Sequence, residues 1–495
     1  MTKPLLAIDQ GTTGSTALVF AQDGRTLGRA TVEFPQHFPK PGWVEHEPDD
    51  IWRSVEKAVY AALEAAKISG ADLAGIGITN QRETTVLWNR KTGIPIHRAI
   101  VWQCRRTADV CDALKAKGHA ERIRERTGLV IDAYFSGTKI AWILDQVDGA
   151  RKAAEAGELA FGTIDSFVIH KLTGGRKHVT DVTNASRTLL FGLRSLDWED
   201  ELCELFRVPR KVLPQIVGSA EVVGETHGLS FLPDGLPIAG IAGDQQAALF
   251  GQACFTPGDA KCTYGTGAFA LMNVGAEPIL SNHGLVTTVA WRVDGKTIYA
   301  LEGSSFIAGA AVQWLRDGLG IIKSAAEIEA LASTVASSEG VVFVPALAGL
   351  GAPYWDQGAR GTISGLTRGT TTAHLARATL EGIAFSVDDL LSAMAQDAKK
   401  KLSRLRVDGG ASRNDLLMQF QSDITGATVE RPFDVESTGR GAAMLAGVGL
   451  GLMTQADAAQ MVRVERTFTP KMPEGERSKH KASWEEGVGR ARSRQ

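Results

Sequence analysis

A polar tetrad, Asn80-Gln-Arg-Glu83, lies between two apolar runs, residues 75–79 and 84–88, whose β-branched residues predict strands. The tetrad therefore follows the end of a strand, where α/β proteins bind their ligands. Arg82 offers a fork of N–H donors and Glu83 offers acceptor oxygens, which suits a small molecule that carries several hydroxyls. The alternative is an ion pair in a surface turn.

Two strand–turn–strand segments rich in glycine and threonine indicate phosphate binding. The first contains Gly11-Thr-Thr-Gly14 and continues through Thr16, and the second contains Tyr264-Gly-Thr-Gly267. Backbone amides and threonine hydroxyls in such hairpins can cradle phosphate oxygens, so two hairpins could hold one triphosphate. Their recurrence at a distance of about 250 residues also predicts two related halves.

Two aspartates accompany these segments. Asp9 ends the strand before the first hairpin, where a carboxylate beside phosphate requires a divalent cation, so we predict a Mg²⁺ ligand, direct or through water. Asp244 lies in Gly240-Ile-Ala-Gly-Asp-Gln-Gln246 and could accept the proton of a hydroxyl that attacks a γ-phosphoryl group. The alternative for Asp244 is a helix N-cap, and both roles are compatible.

A third candidate phosphate contact lies near the carboxyl end of the second half. The strand 405–407 leads into Gly409-Gly410, and Ser412 with Asp415 is predicted to cap a helix over 414–424. Free N–H groups at such a turn could contact a nucleotide, and the alternative is an ordinary tight β–α turn.

Composition restricts the class of protein. The 495 residues are 44% apolar and 22% charged with a net charge of −2, which is typical of a globular protein without a nucleic-acid partner. No signal peptide or membrane-spanning run is evident, so we expect a cytoplasmic protein without a membrane partner, and the five cysteines show no CxxC spacing. The length and the alternation of strands with amphipathic helices, such as 105–117 after the strand 99–102, predict an α/β fold with two domains, residues 1–249 and 250–495.

Other nucleotide-binding and hydrolase motifs are missing from the sequence. No Gly-x-Gly-x-x-Gly opens a βαβ unit and no Gly-x-Ser-x-Gly is present. The segment Asp294-Gly-Lys-Thr297 lacks the first glycine of a Walker A motif and is predicted to form a turn between two strands.

In many motifs, and over nearly its whole length, the sequence resembles the glycerol kinases of the FGGY carbohydrate kinase family. The motifs are Asp9-Gln-Gly-Thr-Thr13, Pro41-Gly-Trp-Val-Glu-His-Glu-Pro48, Asn80-Gln-Arg-Glu-Thr84, Val101-Trp-Gln-Cys-Arg-Arg106, Tyr134-Phe-Ser-Gly-Thr138, Gly243-Asp-Gln-Gln246, Tyr264-Gly-Thr-Gly267, Gly349-Leu-Gly-Ala-Pro-Tyr-Trp355 and Val407-Asp-Gly-Gly410.

The resemblance implies an actin-like fold, with two ribonuclease-H-like domains flanking a catalytic cleft that binds Mg-ATP and glycerol. It implies a homodimer or homotetramer, with glycerol and ATP or ADP as the small-molecule partners. Asp244 would be the base, and Asp9 would lie near Mg²⁺. The implied glycerol-binding residues are Arg82, Glu83, Trp102, Tyr134, Asp244, Gln245 and Phe269, of which Trp102 and Phe269 would pack on the carbons. The implied nucleotide-binding residues are Thr12, Thr13, Gly14, Thr16, Thr266, Gly309, Gln313, Gly410 and Asn414.

Thr16 departs from the pattern, because well-known bacterial members have an arginine at this position near the phosphates. Two alternative functions stay open. The nearer alternative is a kinase for another short polyol or a ketose, and a five-carbon sugar would need more room than bulky Trp102 and Phe269 leave. A conformational or scaffolding ATPase would not need Arg82, Glu83 and Trp102 facing Asp244.

Overall fold

Two mixed β-sheets, one built mainly from each half of the chain, organise the fold. The computed structural model describes residues 2–402, 404–434 and 436–493. The outermost residues of the two predicted domains, 1 and 495, lie outside this range. The predicted α/β class with mixed sheets is confirmed.

The first sheet has the strand order β11-β12-β5-β1-β2-β3. β1 pairs antiparallel with β2 and parallel with β5, and β5 pairs parallel with β12. The strands of this half are β1 (Leu5–Gln10), β2 (Gly14–Phe20), β3 (Thr26–Glu33), β4 (Glu45–His46), β5 (Gly75–Asn80), β6 (Val86–Asn89), β7 (Ala99–Ile100), β8 (Leu159–Gly162), β9 (Val179–Asp181), β10 (Gln215–Val217), β11 (Ala220–Glu225) and β12 (Pro237–Gly243).

The second sheet has the order β15-β16-β14-β13-β19-β20-β21 and repeats the pairing pattern of the first. β13 pairs antiparallel with β14 and parallel with β19, which pairs parallel with β20. Each half therefore opens with a hairpin whose first strand starts a parallel set, which confirms the predicted relation between the halves. The strands are β13 (Ala260–Tyr264), β14 (Ala268–Gly275), β15 (Val286–Val293), β16 (Lys296–Ser305), β17 (Val342–Val344), β18 (Thr362–Ser364), β19 (Arg404–Asp408), β20 (Thr428–Pro432) and β21 (Val464–Phe468).

Helices cover the sheets. They are α1 (Pro48–Ala66), α2 (Ala108–Ala116), α3 (Ala120–Thr127), α4 (Ser136–Gln146), α5 (Ala150–Ala156), α6 (Ile164–Leu172), α7 (Val182–Ala185), α8 (Asp200–Leu205), α9 (Asp244–Gly251), α10 (Gly309–Asp317), α11 (Glu327–Ala332), α12 (Thr372–Ala398), α13 (Asp415–Thr425), α14 (Ser437–Gly449), α15 (Gln455–Ala459) and α16 (Glu474–Ala491). In the described part of the chain, none of these helices combines the length and the apolar character needed to cross a bilayer.

Apolar residues at helical spacing predict a helix over residues 375–391, and the structure confirms it as the longer α12. Its apolar residues at helical spacing, among them Leu380, Ile383, Val387 and Leu390, are buried against the second sheet. Thr371 and His374 form a reciprocal cap that starts the helix. The helix predicted over 105–117 is shorter, because α2 begins only at Ala108.

One helix of the second half, α14, packs on the first sheet against β1, β5 and β12. Its residues Ala442, Ala443 and Ala446 form an apolar cluster with the sheet face of β1 and β2. The helix lies directly on the backbone of β5, since a Cβ at Gly77 would come within 2.0 Å of the carbonyl oxygen of Ala442. The predicted domain boundary at residue 249 stays a prediction, and the packing unit around the first sheet includes this later segment.

Candidate active site

The carboxyl ends of three parallel strands meet at one edge of the first sheet. Gln10 of β1 lies opposite Asn80 of β5, and Asn80 lies opposite Gly243 of β12. The segments that follow these strands, the first hairpin, the polar tetrad and the turn at Asp244, therefore lie side by side. This confirms the prediction that the tetrad lies at the end of a strand, at the edge of the sheet where ligands bind.

Arg82 is buried, with 3% of its surface exposed. Its Nη1 and Nη2 donate to the two carboxylate oxygens of Glu302 at 2.6 and 2.8 Å, which is a bidentate pair. Burial alone would raise the pKa of Glu302, but Arg187 and Arg82 outweigh it and hold that pKa at about 2. The alternative of a surface turn is therefore wrong, and the guanidinium is held by a residue of the second sheet.

Glu83 pairs with Arg187 and not with its neighbour. Arg187 Nε donates to Glu83 Oε1 at 2.7 Å, whereas Arg82 Nε is 3.9 Å from the same oxygen. Arg187 also donates to Glu302 at 3.0 Å, so two arginines and two glutamates form one buried network. The backbone of Glu83 has a φ of 61°, a strained left-handed conformation that fits a functional position. The ion pair between Arg82 and Glu83, which belonged to the alternative interpretation, is therefore no more than a long contact.

Asp244 is the first residue of α9, and its side chain is 33% exposed. Its Oδ1 accepts a hydrogen bond from the backbone N–H of Gln245 at 2.6 Å and lies 3.1 Å from Arg82 Nε. Its Oδ2 has no hydrogen-bond partner among residues 2–402, 404–434 and 436–493. The N-cap alternative is wrong, because the N-cap is Gly243, although an acid in the first turn does favour the helix.

Aromatic side chains flank Arg82. The rings of Trp102 and Tyr134 pack edge to face at 5.6 Å, and Arg82 Nη2 is 3.4 Å from the Tyr134 hydroxyl. Phe269 is half-buried on β14, and its carbonyl oxygen lies 3.5 Å from Lys261 Nζ. The Lys261 ammonium also donates to Gln245. Through these contacts the structure brings together all seven residues that the resemblance implies for glycerol binding.

The first hairpin adjoins this group. Thr12 and Thr13 lie in the turn before Gly14, the first residue of β2, and the indole Nε1 of Trp102 donates to Thr12 Oγ1 at 3.0 Å. Thr16 lies on β2 opposite Asp9, and its hydroxyl is 2.9 Å from that of Thr31. Thr16 is therefore bonded to the neighbouring strand β3.

The side chain of Asp9 has no hydrogen-bond partner in the described part of the chain. Burial, together with the charges of Asp244 and Glu436, raises the pKa of Asp9 to about 8. Arg29 opposes this rise and is itself paired with Glu436 at 3.1 Å. Among the described residues, no group of three or more histidines, cysteines or acids is arranged to hold a metal by itself.

A cavity of about 470 Å³ lies beside the second hairpin, within the usual range for a small-molecule pocket. Its apolar walls include Val312, Ile328, Leu380 and Leu417. Five residues predicted to bind a nucleotide line it together, namely Thr266, Gly309, Gln313, Gly410 and Asn414. The two predicted ligand regions are therefore distinct, and the second hairpin lies between them.

The turn after β19 needs glycine. Gly409 has a φ of 83°, and a Cβ there would lie 2.5 Å from the carbonyl oxygen of Tyr264. The predicted capping role of Ser412 is wrong, because Asn414 caps α13 by accepting from the Leu417 amide at 2.8 Å. Ser412 instead donates to the Gly409 carbonyl oxygen at 2.7 Å.

We expect Gly409→Ala to lower the free energy of unfolding by more than about 1 kcal/mol, since alanine is strained at this φ and its Cβ meets backbone. Urea denaturation followed by circular dichroism measures the change. Gly410→Ala is the matched control, because a Cβ there meets nothing within 4 Å. Equal losses in the two variants would contradict the special role of Gly409.

Sequence reasoning missed Arg187, Glu302 and Lys261. Glu302 and Lys261 each carry a charge within an otherwise apolar strand, which is a signal that could have been used. Arg187 follows the short helix α7, and no periodicity marks it. Burial lowers the pKa of Lys261, while the carboxylates of Asp408, Asp244 and Glu302 oppose this change.

Comparison with known proteins agrees with this geometry. The N-terminal domain of the FGGY family of carbohydrate kinases matches residues 5–251, and the C-terminal domain matches residues 260–450. Glycerol kinase from Myxococcus xanthus is 56% identical over 492 residues, 99% of each chain. Glycerol kinase from Carboxydothermus hydrogenoformans is 57% identical over 494 residues, 99% of this chain and 98% of the other.

A solved structure supports the same relation. The crystal structure of Plasmodium falciparum glycerol kinase with ADP superposes with a TM-score of 0.94 at 34% identity and covers 99% of both chains. The two-domain α/β architecture, the family match over most of the chain and these relatives show that the chain is a kinase that belongs to the FGGY family of carbohydrate kinases.

Proposed function

We propose that the protein transfers the γ-phosphoryl group of ATP to glycerol and produces sn-glycerol 3-phosphate. The observation that carries the proposal is the position of Asp244, which contacts Arg82 and leaves its Oδ2 without a partner among the described residues. The names of relatives that are 56% and 57% identical over nearly the whole chain favour glycerol within the family.

The residues around Arg82 and Asp244, which we call the acceptor site, would contact both the hydroxyls and the carbons of glycerol. Arg82, fixed by Glu302, would donate to a hydroxyl oxygen, and Asp244 Oδ2 would accept the proton of the attacking hydroxyl. Trp102, Tyr134 and Phe269 would pack on the carbon chain. The bulk of these rings leaves little room for a longer sugar, which favours glycerol over a ketose.

The donor nucleotide would occupy the cavity beside the second hairpin. Thr266 would meet the phosphates, and Gly309, Gln313, Gly410 and Asn414 would line the nucleotide. Thr12, Thr13 and Gly14 would approach the transferred group from the first hairpin. Thr16 is hydrogen-bonded to Thr31, so its hydroxyl would contribute little to the phosphates.

The residues present fit a magnesium ion beside the phosphates. The half-buried carboxylate of Asp9 has no hydrogen-bond partner in the described part of the chain and has a raised pKa, and a divalent cation would favour its ionised form. Asp9 would hold the ion directly or through water. Magnesium would supply positive charge against the phosphate oxygens.

The direct test is phosphorylation by the purified protein with ATP and Mg²⁺ over a panel of glycerol, other short polyols and ketoses. Coupled detection of ADP gives the rate, and ³¹P NMR identifies the product. We expect glycerol to have the highest kcat/KM. A ketose as the preferred acceptor, or ATP hydrolysis without any transfer, would overturn the proposal.

We expect Phe269→Ala to raise the KM for glycerol about tenfold with little change for ATP, because loss of an apolar contact costs about 1–3 kcal/mol. Thr266→Ala should do the reverse, because it removes a donor to charged phosphate. Initial rates over both substrates measure the difference. Loss of stability alone in both variants would show that the hairpin serves only packing.

A further inference from the structure

Lys261 is a fully buried cation on β13 that the proposed mechanism does not use. It lies opposite Leu271, which lies opposite Glu302, so all three side chains emerge on one face of the second sheet. This face meets the start of α9, where Asp244 and Gln245 lie. Lys261 is thus a residue of the second half that reaches into the acceptor site of the first.

Among the residues that the structure describes, the ammonium of Lys261 has only neutral hydrogen-bond partners. It donates to Gln245 Oε1, to Thr263 Oγ1 at 3.0 Å and towards the Phe269 carbonyl oxygen at 3.5 Å. In the described part of the chain it forms no salt bridge with a carboxylate. Burying a charge without a paired carboxylate is costly, so the arrangement requires a compensating role.

The contact between Lys261 and Gln245 determines which atom of the Gln245 side-chain amide bonds to the lysine and which one does not. A lysine ammonium has N–H donors and no acceptor, so the amide must present its carbonyl oxygen to Lys261. The Nε2 of Gln245 has no hydrogen-bond partner among the residues that the structure describes, although the side chain is only 9% exposed. This donor belongs to the residue that directly follows Asp244 at the start of α9.

We propose that Lys261 is a positioning residue that holds Gln245 as a hydrogen-bond donor to the acceptor substrate. The inference rests on the proposed function. Asp244 accepts the proton of one hydroxyl, while Gln245 donates to an oxygen of the same molecule. The pair thereby selects a substrate that places an acceptor oxygen beside its reacting hydroxyl, as a polyol does.

A double-mutant cycle tests the coupling between these two residues. Lys261→Met and Gln245→Met keep side-chain length and remove the polar groups. We expect each to raise the KM for glycerol about tenfold, equivalent to about 1.4 kcal/mol, while the KM for ATP stays within about twofold. The double variant should match Gln245→Met alone, because Lys261 acts only through that amide.

A second variant keeps the test decisive if Lys261→Met folds poorly. Gln245→Glu retains an oxygen for Lys261 and replaces only the free donor. We expect its thermal unfolding midpoint to equal or exceed that of the wild type, and its KM for glycerol to rise at least about tenfold. Wild-type affinity for glycerol in Gln245→Glu would overturn the donor role.

The remaining outcomes separate the inference from the proposed function. Additive effects in the cycle, or equal increases in KM for glycerol and ATP, would overturn the role of Lys261. Wild-type protein that phosphorylates no polyol would overturn the proposed function instead. Wild-type activity with a non-additive cycle supports both.

Discussion

Replacing Asp244 with asparagine is expected to lower turnover by about 10²–10⁴-fold, because general-base assistance is typically worth that factor. Asparagine keeps the shape of the side chain, and its Oδ1 can still accept the hydrogen bond from the backbone N–H of Gln245. It cannot take the proton of the attacking hydroxyl. The fold and nucleotide binding should therefore be retained while the chemical step slows.

Initial rates at saturating ATP and glycerol measure the loss, and binding of ADP by calorimetry confirms an intact nucleotide site. Asp294→Asn is a matched control, since Asp294 lies in the turn between β15 and β16, away from the cluster around Arg82. That control should keep wild-type turnover. Turnover of Asp244→Asn above about a tenth of wild type would rule out the general-base role.

Replacing Glu302 with glutamine is expected to lower the free energy of unfolding by about 3–5 kcal/mol, as breaking a buried ion pair typically does. The change leaves Arg187 paired with Glu83, and leaves Arg82 with the Asp244 carboxylate at 3.1 Å as its nearest remaining negative charge. It also frees the Arg82 guanidinium, so the KM for glycerol should rise as well.

The pH dependence of this contribution has a definite sign. The pKa of Glu302 falls from 4.5 to about 2 on folding, so its stabilisation is present above pH 4.5 and is lost as the pH falls through about 2. Urea denaturation at neutral pH and at successively lower pH measures both effects. The difference between wild type and Glu302→Gln should shrink as the pH falls.

The control for Glu302→Gln is the same substitution in an exposed pair. Glu486 pairs with Arg490 within α16, where both side chains are more than half exposed. Glu486→Gln should change the free energy of unfolding by less than about 0.5 kcal/mol. Equal losses in the two variants would mean that the buried network contributes no more than a surface pair.

Features that depend on neighbouring residues could be predicted from the sequence. The two glycine- and threonine-rich hairpins, the strand before the polar tetrad and the helix α12 follow from local alternation, helical spacing and turn residues. The relation between the two halves followed from the recurring hairpin. Their positions placed the site at the correct edge of the first sheet.

Contacts between distant residues could not be predicted in this way. Arg82 and Glu302 are 220 positions apart, and only the packing of two sheets brings them together. Glu83 follows Arg82 in the sequence and is the obvious partner for it. In the structure, however, Glu83 pairs with Arg187, and Arg82 pairs with Glu302. The N-cap of α13 could not be predicted from the sequence for a similar reason. Ser412 and Asn414 both suit the start of a helix, and only the path of the backbone after Gly410 determines which of them caps α13.

The position of α14 has a consequence for synthesis on the ribosome. Domains generally fold in the order in which they emerge, but the face of β1 and β2 that α14 covers stays exposed until Ser437 and the residues after it have been made. The strands that are synthesised first, β1 and β2, are thus covered only after one of the last helices, α14, has been synthesised. During that interval Leu5, Ala7, Leu18 and Phe20 lack their native cover, and transiently exposed apolar surface of this kind is prone to aggregation.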